Sequence, residues 1–225
     1  MTELSPHITI YRHHIYDFEA PVYRHLLETA CSSLIRETEV FRFHHDRIRK
    51  LIGRKLLQLA WHETGGQGEI SNLLQKSQYG KPFLPHWKSF NLSHSGSEIV
   101  LAVSDTPIGI DVEQCKPMDY DVFSGQFHAS ELSHIRLSET PSRAFYNLWT
   151  RKEALLKATG QGLTDTMNEL NCNQSSIYYQ DRCWYFYPVI LDDAYVCCLV
   201  SPEERPETSL QTVRIEELPG IRSVP

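Results

Sequence analysis

Residues 90–113 read Phe-Asn-Leu-Ser-His-Ser-Gly-Ser-Glu-Ile-Val-Leu-Ala-Val-Ser-Asp-Thr-Pro-Ile-Gly-Ile-Asp-Val-Glu. The apolar run Ile99–Val103 follows a Ser95-Gly96-Ser97 turn, which predicts two strands over Phe90 to Asp105 and a third, short strand from Ile108 to Glu113. Upstream the period changes to that of a helix. Val22, Leu26, Leu27, Ala30 and Leu34 recur at three- and four-residue steps and predict a helix from Pro21 to about Arg36. Ile48, Leu51, Ile52, Leu56, Leu59 and Ala60 predict another from His45 to about Trp61, which Gly65-Gly66 ends. Downstream, Ser130 to Leu137 reads as a short helix. The clearest helix spans Pro141 to about Thr159, with Thr140 as N-cap, Pro141 at the first position and Gly160 just past the end. Ser176–Tyr179, Trp184–Leu191 and Ala194–Ser201 then read as antiparallel strands, the last two joined by a turn at Asp192-Asp193.

The same words recur downstream. Arg54-Lys55 returns as Arg151-Lys152 and Val103-Ser104 as Val200-Ser201, both 97 residues on. One constant offset for a helix word and a strand word predicts an α+β fold made of two similar halves, 1–107 and 108–225, joined near Asp105–Ile108.

Composition bounds the function. Of 225 residues, 41% are apolar and 22% charged, as in a globular chain, and the longest apolar runs, Ile99–Val103 and Val196–Val200, are far short of the about 20 residues of a membrane helix. The N-terminal Met-Thr-Glu-Leu-Ser-Pro-His lacks the basic-then-apolar order of a signal peptide, so the expected location is the cytoplasm. Six cysteines include no Cys-x-x-Cys pair; Cys197 and Cys198 are strand neighbours on opposite faces, and all six are expected to be buried free thiols in a reducing compartment. The doublets His13-His14 and His44-His45 have no metal partner at helical spacing and are expected at the surface or a site edge. Net charge is −6, which disfavours nucleic acid, yet Arg42, Arg47, Arg49, Lys50, Arg54 and Lys55 crowd one stretch against the single acid Asp46. That is either a solvated helix face or a local site for a small phosphorylated ligand.

Four motifs carry chemistry. In Gly109-Ile110-Asp111-Val112-Glu113, Asp111 and Glu113 share one strand face. Paired carboxylates invite a hard cation such as Mg²⁺, although alone they also fit an exposed strand edge. In Trp149-Thr150-Arg151-Lys152-Glu153-Ala154-Leu155-Leu156-Lys157, Trp149, Glu153 and Lys157 form one helical stripe, a third carboxylate beside a cation or merely a surface ion pair. Tyr79-Gly80-Lys81-Pro82-Phe83 sets a lysine in a stiff turn. Ser93-His94 ends a strand without the strand-to-helix elbow of a serine hydrolase, so these two groups fit phosphate binding better than nucleophilic attack.

Gly-Lys-Pro, Phe-Asn-x-Ser-His-Ser, Gly-Ile-Asp-x-Glu and Trp-x-x-Lys-Glu-Ala-x-x-Lys, in this order, resemble the 4′-phosphopantetheinyl transferases of the surfactin-synthetase-activating type, over roughly Arg42 to Leu163. The resemblance implies an intramolecular α+β pseudo-dimer with coenzyme A and Mg²⁺ between its halves. It implies transfer of 4′-phosphopantetheine from coenzyme A to a serine of an acyl or peptidyl carrier protein, releasing 3′,5′-ADP, by a working monomer without nucleic acid or membrane. Asp111, Glu113 and Glu153 are the implied magnesium ligands. Lys157 is implied at the coenzyme A phosphates, Ser93 and His94 around the 3′-phosphate and pyrophosphate, Lys81 and Arg49 near the adenine nucleotide, and Lys152 as a lesser contact. Glu153 is the first choice of general base and His94 the second. One departure stands out: where the family often has a basic pair reaching the coenzyme A phosphate, this chain has Leu34 and Glu37, leaving Arg36 or Arg42 as substitutes.

Between Gln114 and Phe127, the side chains of Met118, Tyr120, Val122, Phe123 and Phe127 either cap a core or, as the resemblance implies, contact the carrier protein. The competing class is a non-catalytic module that binds coenzyme A or a carrier; the presence of all three carboxylates speaks against it.

Overall fold

The structure is a computed structural model and describes residues 7–162 and 167–219. Leu163, where the resemblance ends, and residues 1–6 of the N-terminal stretch read for targeting lie outside the described residues.

The chain runs β1 (His7–His14), α1 (Pro21–Thr29), α2 (Ser32–Glu39), α3 (His44–Glu63), β2 (Gln75–Lys76), β3 (Pro82–Phe83), β4 (Ser89–Ser95), β5 (Glu98–Ser104) and β6 (Gly109–Gln114). It continues through α4 (Ala129–Leu137), α5 (Pro141–Thr159), β7 (Ser176–Tyr179), β8 (Arg182–Pro188), β9 (Tyr195–Ser201) and β10 (Glu207–Thr212). One four-stranded sheet has the order β10-β1-β5-β4, the other β6-β9-β8-β7, and β2-β3 is a small hairpin. This is the expected α+β fold.

Both five-residue apolar runs are central strands covered on both faces. From β5, Ile99, Leu101 and Val103 pack under α3, while Val100 and Ala102 face the other sheet. From β9, Cys198 and Val200 pack under α5, while Cys197 and Leu199 meet Ile8, Ile10, Ile110 and Val112 between the sheets. A strand buried on both faces loses the polar alternation of a half-exposed one, hence the continuous runs. The two central strands hold corresponding places in their sheets, although their partners are not offset by the same 97 residues. Val103 sits between Thr9 and Phe90, and Val200 between Gly109 and Phe186.

Three expectations change. The single helix from Pro21 is two, because Ala30 and Cys31 are extended (ψ 147° and 152°) and restart the chain at Ser32. His13 is buried rather than at a surface or site edge: its Nδ1 lies 2.8 Å from Val213 O and its Nε2 3.2 Å from the Tyr23 hydroxyl, tying β1 to the segment after β10. Burial holds its ring below the usual histidine pKa. The six cysteines are free as expected, but only Cys172, Cys197 and Cys198 are buried; Cys115 and Cys183 are half-buried and Cys31 is exposed.

The seam between the sheets has an unusual construction. β4 and β6 are edge strands of different sheets, and side chains of one bond the backbone of the other. Ile110 N donates to Asn91 Oδ1 (2.8 Å), Val112 N to Ser93 Oγ (3.3 Å) and Gln114 N to Ser95 Oγ (3.1 Å). Three side chains at a period of two thereby satisfy an open strand edge.

Candidate active site

This seam builds the site. Ile110 and Val112 point into the core between the sheets, so Asp111 and Glu113 turn the other way, toward α5. Gly109 sets the approach: a Cβ there would lie 1.9 Å from Ala154 O, so only glycine lets β6 come this close to the helix. Glu153 and Lys157, one turn apart on α5, then reach the same cleft.

The cleft, about 340 Å³, is lined by Leu92, Ser93, His94, Asp111, Glu113, Glu153 and Lys157. Lys157 Nζ lies 2.5 Å from Asp111 Oδ1 and 3.1 Å from Ser93 Oγ, and Ser93 Oγ donates to Asp111 Oδ1 at 2.8 Å. Ser95 Oγ donates to Glu113 Oε2 at 2.7 Å. Asp111 Oδ2 is buried without a hydrogen-bond partner.

Three carboxylates thus face one ammonium. Burial raises the pKa of Asp111, opposed by Lys157. Burial raises Glu113 as well, with the Asp111 charge adding to it. Glu153 is pushed up to about 7, by burial first and then by Asp111 and Glu113. The His94 ring is held below its usual value, chiefly by lost hydration and then by the Arg49 and Lys157 cations. An oxygen-only donor set with an unpartnered buried oxygen and two uncompensated negative charges fits a hard divalent cation.

Other candidate residues lie elsewhere. Lys152 is turned to the far side of α5 and fully buried. It pairs with Glu131 Oε2 at 2.8 Å, donates to Met167 O and Leu170 O, and lies over the Phe127 ring. It does not reach the cleft; its motif position is explained by the core under α5. Lys81 donates to Ile108 O and Ala158 O, at 3.3 and 3.2 Å, where burial lowers its pKa to about 8; it joins the start of β6 to the last turn of α5 rather than lining the cleft. Arg49 donates to Gly96 O and Asp46 and lies over Phe18, beside the cleft rather than in its wall. Asn91 and Ser95 escaped the sequence reading, although the spacing of Asn91, Ser93 and Ser95 was the available signal.

A second cleft of about 590 Å³ adjoins the first across Leu92. Glu37, Lys50, Arg54, Lys76, Gly80 and Pro82 are among its walls. Among the described residues, His14, Glu98 and Asp192 are the group whose three ligand-type atoms all lie within 4.8 Å of one another; the three carboxylates of the first cleft stand wider apart. Arg12 already occupies that group, with its Nη2 2.5 Å from Glu98 and 2.9 Å from Asp192, so it is an ion-paired strut rather than a cation site.

Residues 107–200, which carry every carboxylate of the first cleft, match the model of the 4′-phosphopantetheinyl transferase superfamily. The resemblance read from the motifs is borne out. A 4′-phosphopantetheinyl transferase of Bacillus subtilis is 37% identical over 129 residues, 55% of this chain and 58% of the relative. One from Bacillus pumilus is 38% identical over 131 residues, 56% of each chain. One from Aneurinibacillus migulanus is 32% identical over 143 residues, 61% of this chain and 60% of the relative. The chain therefore spans under three fifths or about three fifths of the curated relatives it matches. Among the described residues no helix is long and apolar enough to cross a membrane.

Proposed function

We propose that the protein transfers the 4′-phosphopantetheine group of coenzyme A to a serine of an acyl or peptidyl carrier protein, releasing 3′,5′-ADP. The observation that carries this reading is the convergence of Asp111, Glu113, Glu153 and Lys157 on one cleft, within the stretch that matches the transferase superfamily. The similarly named relatives support it.

Asp111, Glu113 and Glu153 are the proposed holders of Mg²⁺. When bound there, the ion supplies positive charge against the pyrophosphate oxygens. Lys157, with its stem on α5 and its ammonium on Asp111, also faces the phosphates. Ser93 and His94 close the adjoining wall, and the second cleft takes the nucleotide end, with Lys50 and Arg54 as its cations. The carrier serine oxygen attacks the β-phosphorus, and the bond to the 3′,5′-ADP oxygen breaks. Glu153, which reaches the cleft from α5 beside Asp111 and Glu113, is the first choice to take the serine proton. His94, on the adjoining wall from β4, is the second candidate. The two halves, each with a four-stranded sheet and a doubly covered central strand, are read as a duplicated unit packed as a pseudo-dimer, acting as a cytoplasmic monomer.

The test is to mix the chain with coenzyme A, Mg²⁺ and an apo carrier, then weigh the carrier. A mass gain of one phosphopantetheine supports the reading. An unmodified carrier beside bound coenzyme A points to a binding module instead.

A further inference from the structure

The second cleft contains a charge arrangement that its ligand must disturb. Arg54 Nη2 lies 2.5 Å from Glu37 Oε2, and Lys50 Nζ lies 3.2 Å from the same oxygen. The two cations that α3 gives to this cleft are therefore both spent on one carboxylate of α2. The Arg54 side chain is only 7% exposed, and its Nη1 is buried without a partner. The Glu37 carboxylate is 38% exposed and sits in the last turn of α2, where the helix dipole disfavours an acid. Partial burial alone would raise its pKa, but Arg54 and then Lys50 together hold it below the ordinary value. Glu37 is thus fixed by the two cations alone and has solvent to move into.

A phosphate monoester entering this cleft seeks the same two cations. It cannot share them with Glu37 cheaply, because two anions on one cation pair repel each other. It can replace Glu37, taking Lys50, Arg54 Nη2 and the spare Nη1 donor, while the carboxylate returns to water. We infer that Glu37 is an internal stand-in for a phosphate monoester, and that binding of a 3′-phosphorylated nucleotide here proceeds by exchange with it. This rests on the reading of the cleft as the nucleotide site, and it adds a consequence for specificity: the phosphate gains only what remains after the Glu37 pairs are lost, so the chain discriminates weakly for it.

The experiment is calorimetric titration of the full chain with 3′,5′-ADP and, separately, with 5′-AMP. In the wild type the two affinities should lie within about tenfold of each other, roughly 1.4 kcal/mol. Glu37→Gln should tighten 3′,5′-ADP by at least about tenfold and change 5′-AMP by less than about threefold. Because that variant leaves the buried Arg54 charge uncompensated, Glu37→Asp serves beside it. It keeps the charge but shortens its reach, and should shift the preference in the same direction by less. A wild-type preference for 3′,5′-ADP beyond about a hundredfold would overturn the exchange. So would an unchanged preference in both variants while coenzyme A still binds. Failure of coenzyme A and both nucleotides to bind the wild type would overturn the reading of the cleft itself, and the exchange with it.

Discussion

The Lys157 ammonium bonds Asp111 on β6, at 2.5 Å, rather than resting on Glu153 one turn earlier on its own helix. The helical stripe seen in the sequence is therefore not a surface ion pair. It is half of a joint between helix and strand, and it leaves Glu153 facing two other carboxylates. Asp111→Asn and Glu153→Gln should each lower transfer by at least about 100-fold, as for loss of a principal transition-state contact. Each should also weaken the rise in melting temperature produced by Mg²⁺ alone. Near-normal turnover at saturating Mg²⁺ removes the altered residue from the site.

Ser95 fixes Glu113 and satisfies Gln114 N with one hydroxyl. Ser95→Ala should cost about 1–3 kcal/mol in stability, since it leaves a partly buried donor unmet. It should also raise the Mg²⁺ concentration needed for half-maximal activity, with kcat at saturation largely kept. Equal Mg²⁺ dependence in both proteins would confine Ser95 to the seam.

Lys152→Met separates a core lysine from a ligand contact. It strands Glu131 in the core, and losing one partner of a buried pair costs about 3–5 kcal/mol. The folded fraction should keep the wild-type KM for coenzyme A. A raised KM without a change in denaturation midpoint would return Lys152 to the ligand site.

His13 predicts an acid limit. Its folded pKa is depressed by burial, so below about pH 6.5 the unfolded chain binds the proton more readily, and stability falls as pH drops. His13→Gln should lose stability at pH 7 but lose less between pH 7 and 5 than the wild type does, as read from urea midpoints. Parallel pH profiles would assign the acid sensitivity to other groups.

The segment between Glu113 and α4 divides in two. Phe127 is buried beside Phe145, and Met118 and Tyr120 pack on the same cluster. Val122 is 75% exposed, and Phe123 is 38% exposed where it meets Phe145 and Trp149. Val122→Asp should raise KM for the carrier well above any effect on coenzyme A, with an unchanged melting temperature. Met118→Asp should mainly unfold the cluster. Equal effects of Val122→Asp on both substrates would remove this segment as a docking face.

The strands and helices best read from sequence were those whose burial imposes a period: α3, α5 and the strands β5 and β9. Pro141 and Gly160 marked the ends of α5 because a missing N–H and a left-handed cap (φ 77°) are backbone requirements visible in residue type. β10 was not legible: its six residues, Glu207–Thr212, are almost all exposed and polar, and its only reason to extend is its pairing with β1. In the site, residue type pointed to Asp111, Glu113, Glu153 and Lys157, because few other arrangements place such charges together. Residue type alone does not tell Lys152 from Lys157; the helical stripe through Trp149, Glu153 and Lys157 ranked Lys152 lower but still left it a contact. That difference is five residues of helical rotation, which turns one ammonium into the core and the other into the cleft.

The pairing of His7 with Glu207 joins positions 200 residues apart through parallel strands. On a ribosome adding about 5–20 residues per second, β1 would emerge on the order of 10–40 s before its outer neighbour. Through that interval the long side of β1 offers unpaired amides and carbonyls to any passing strand. The first sheet is therefore the part of the nascent chain most in need of shelter, and the polar, exposed β10 is the cover that finally closes it.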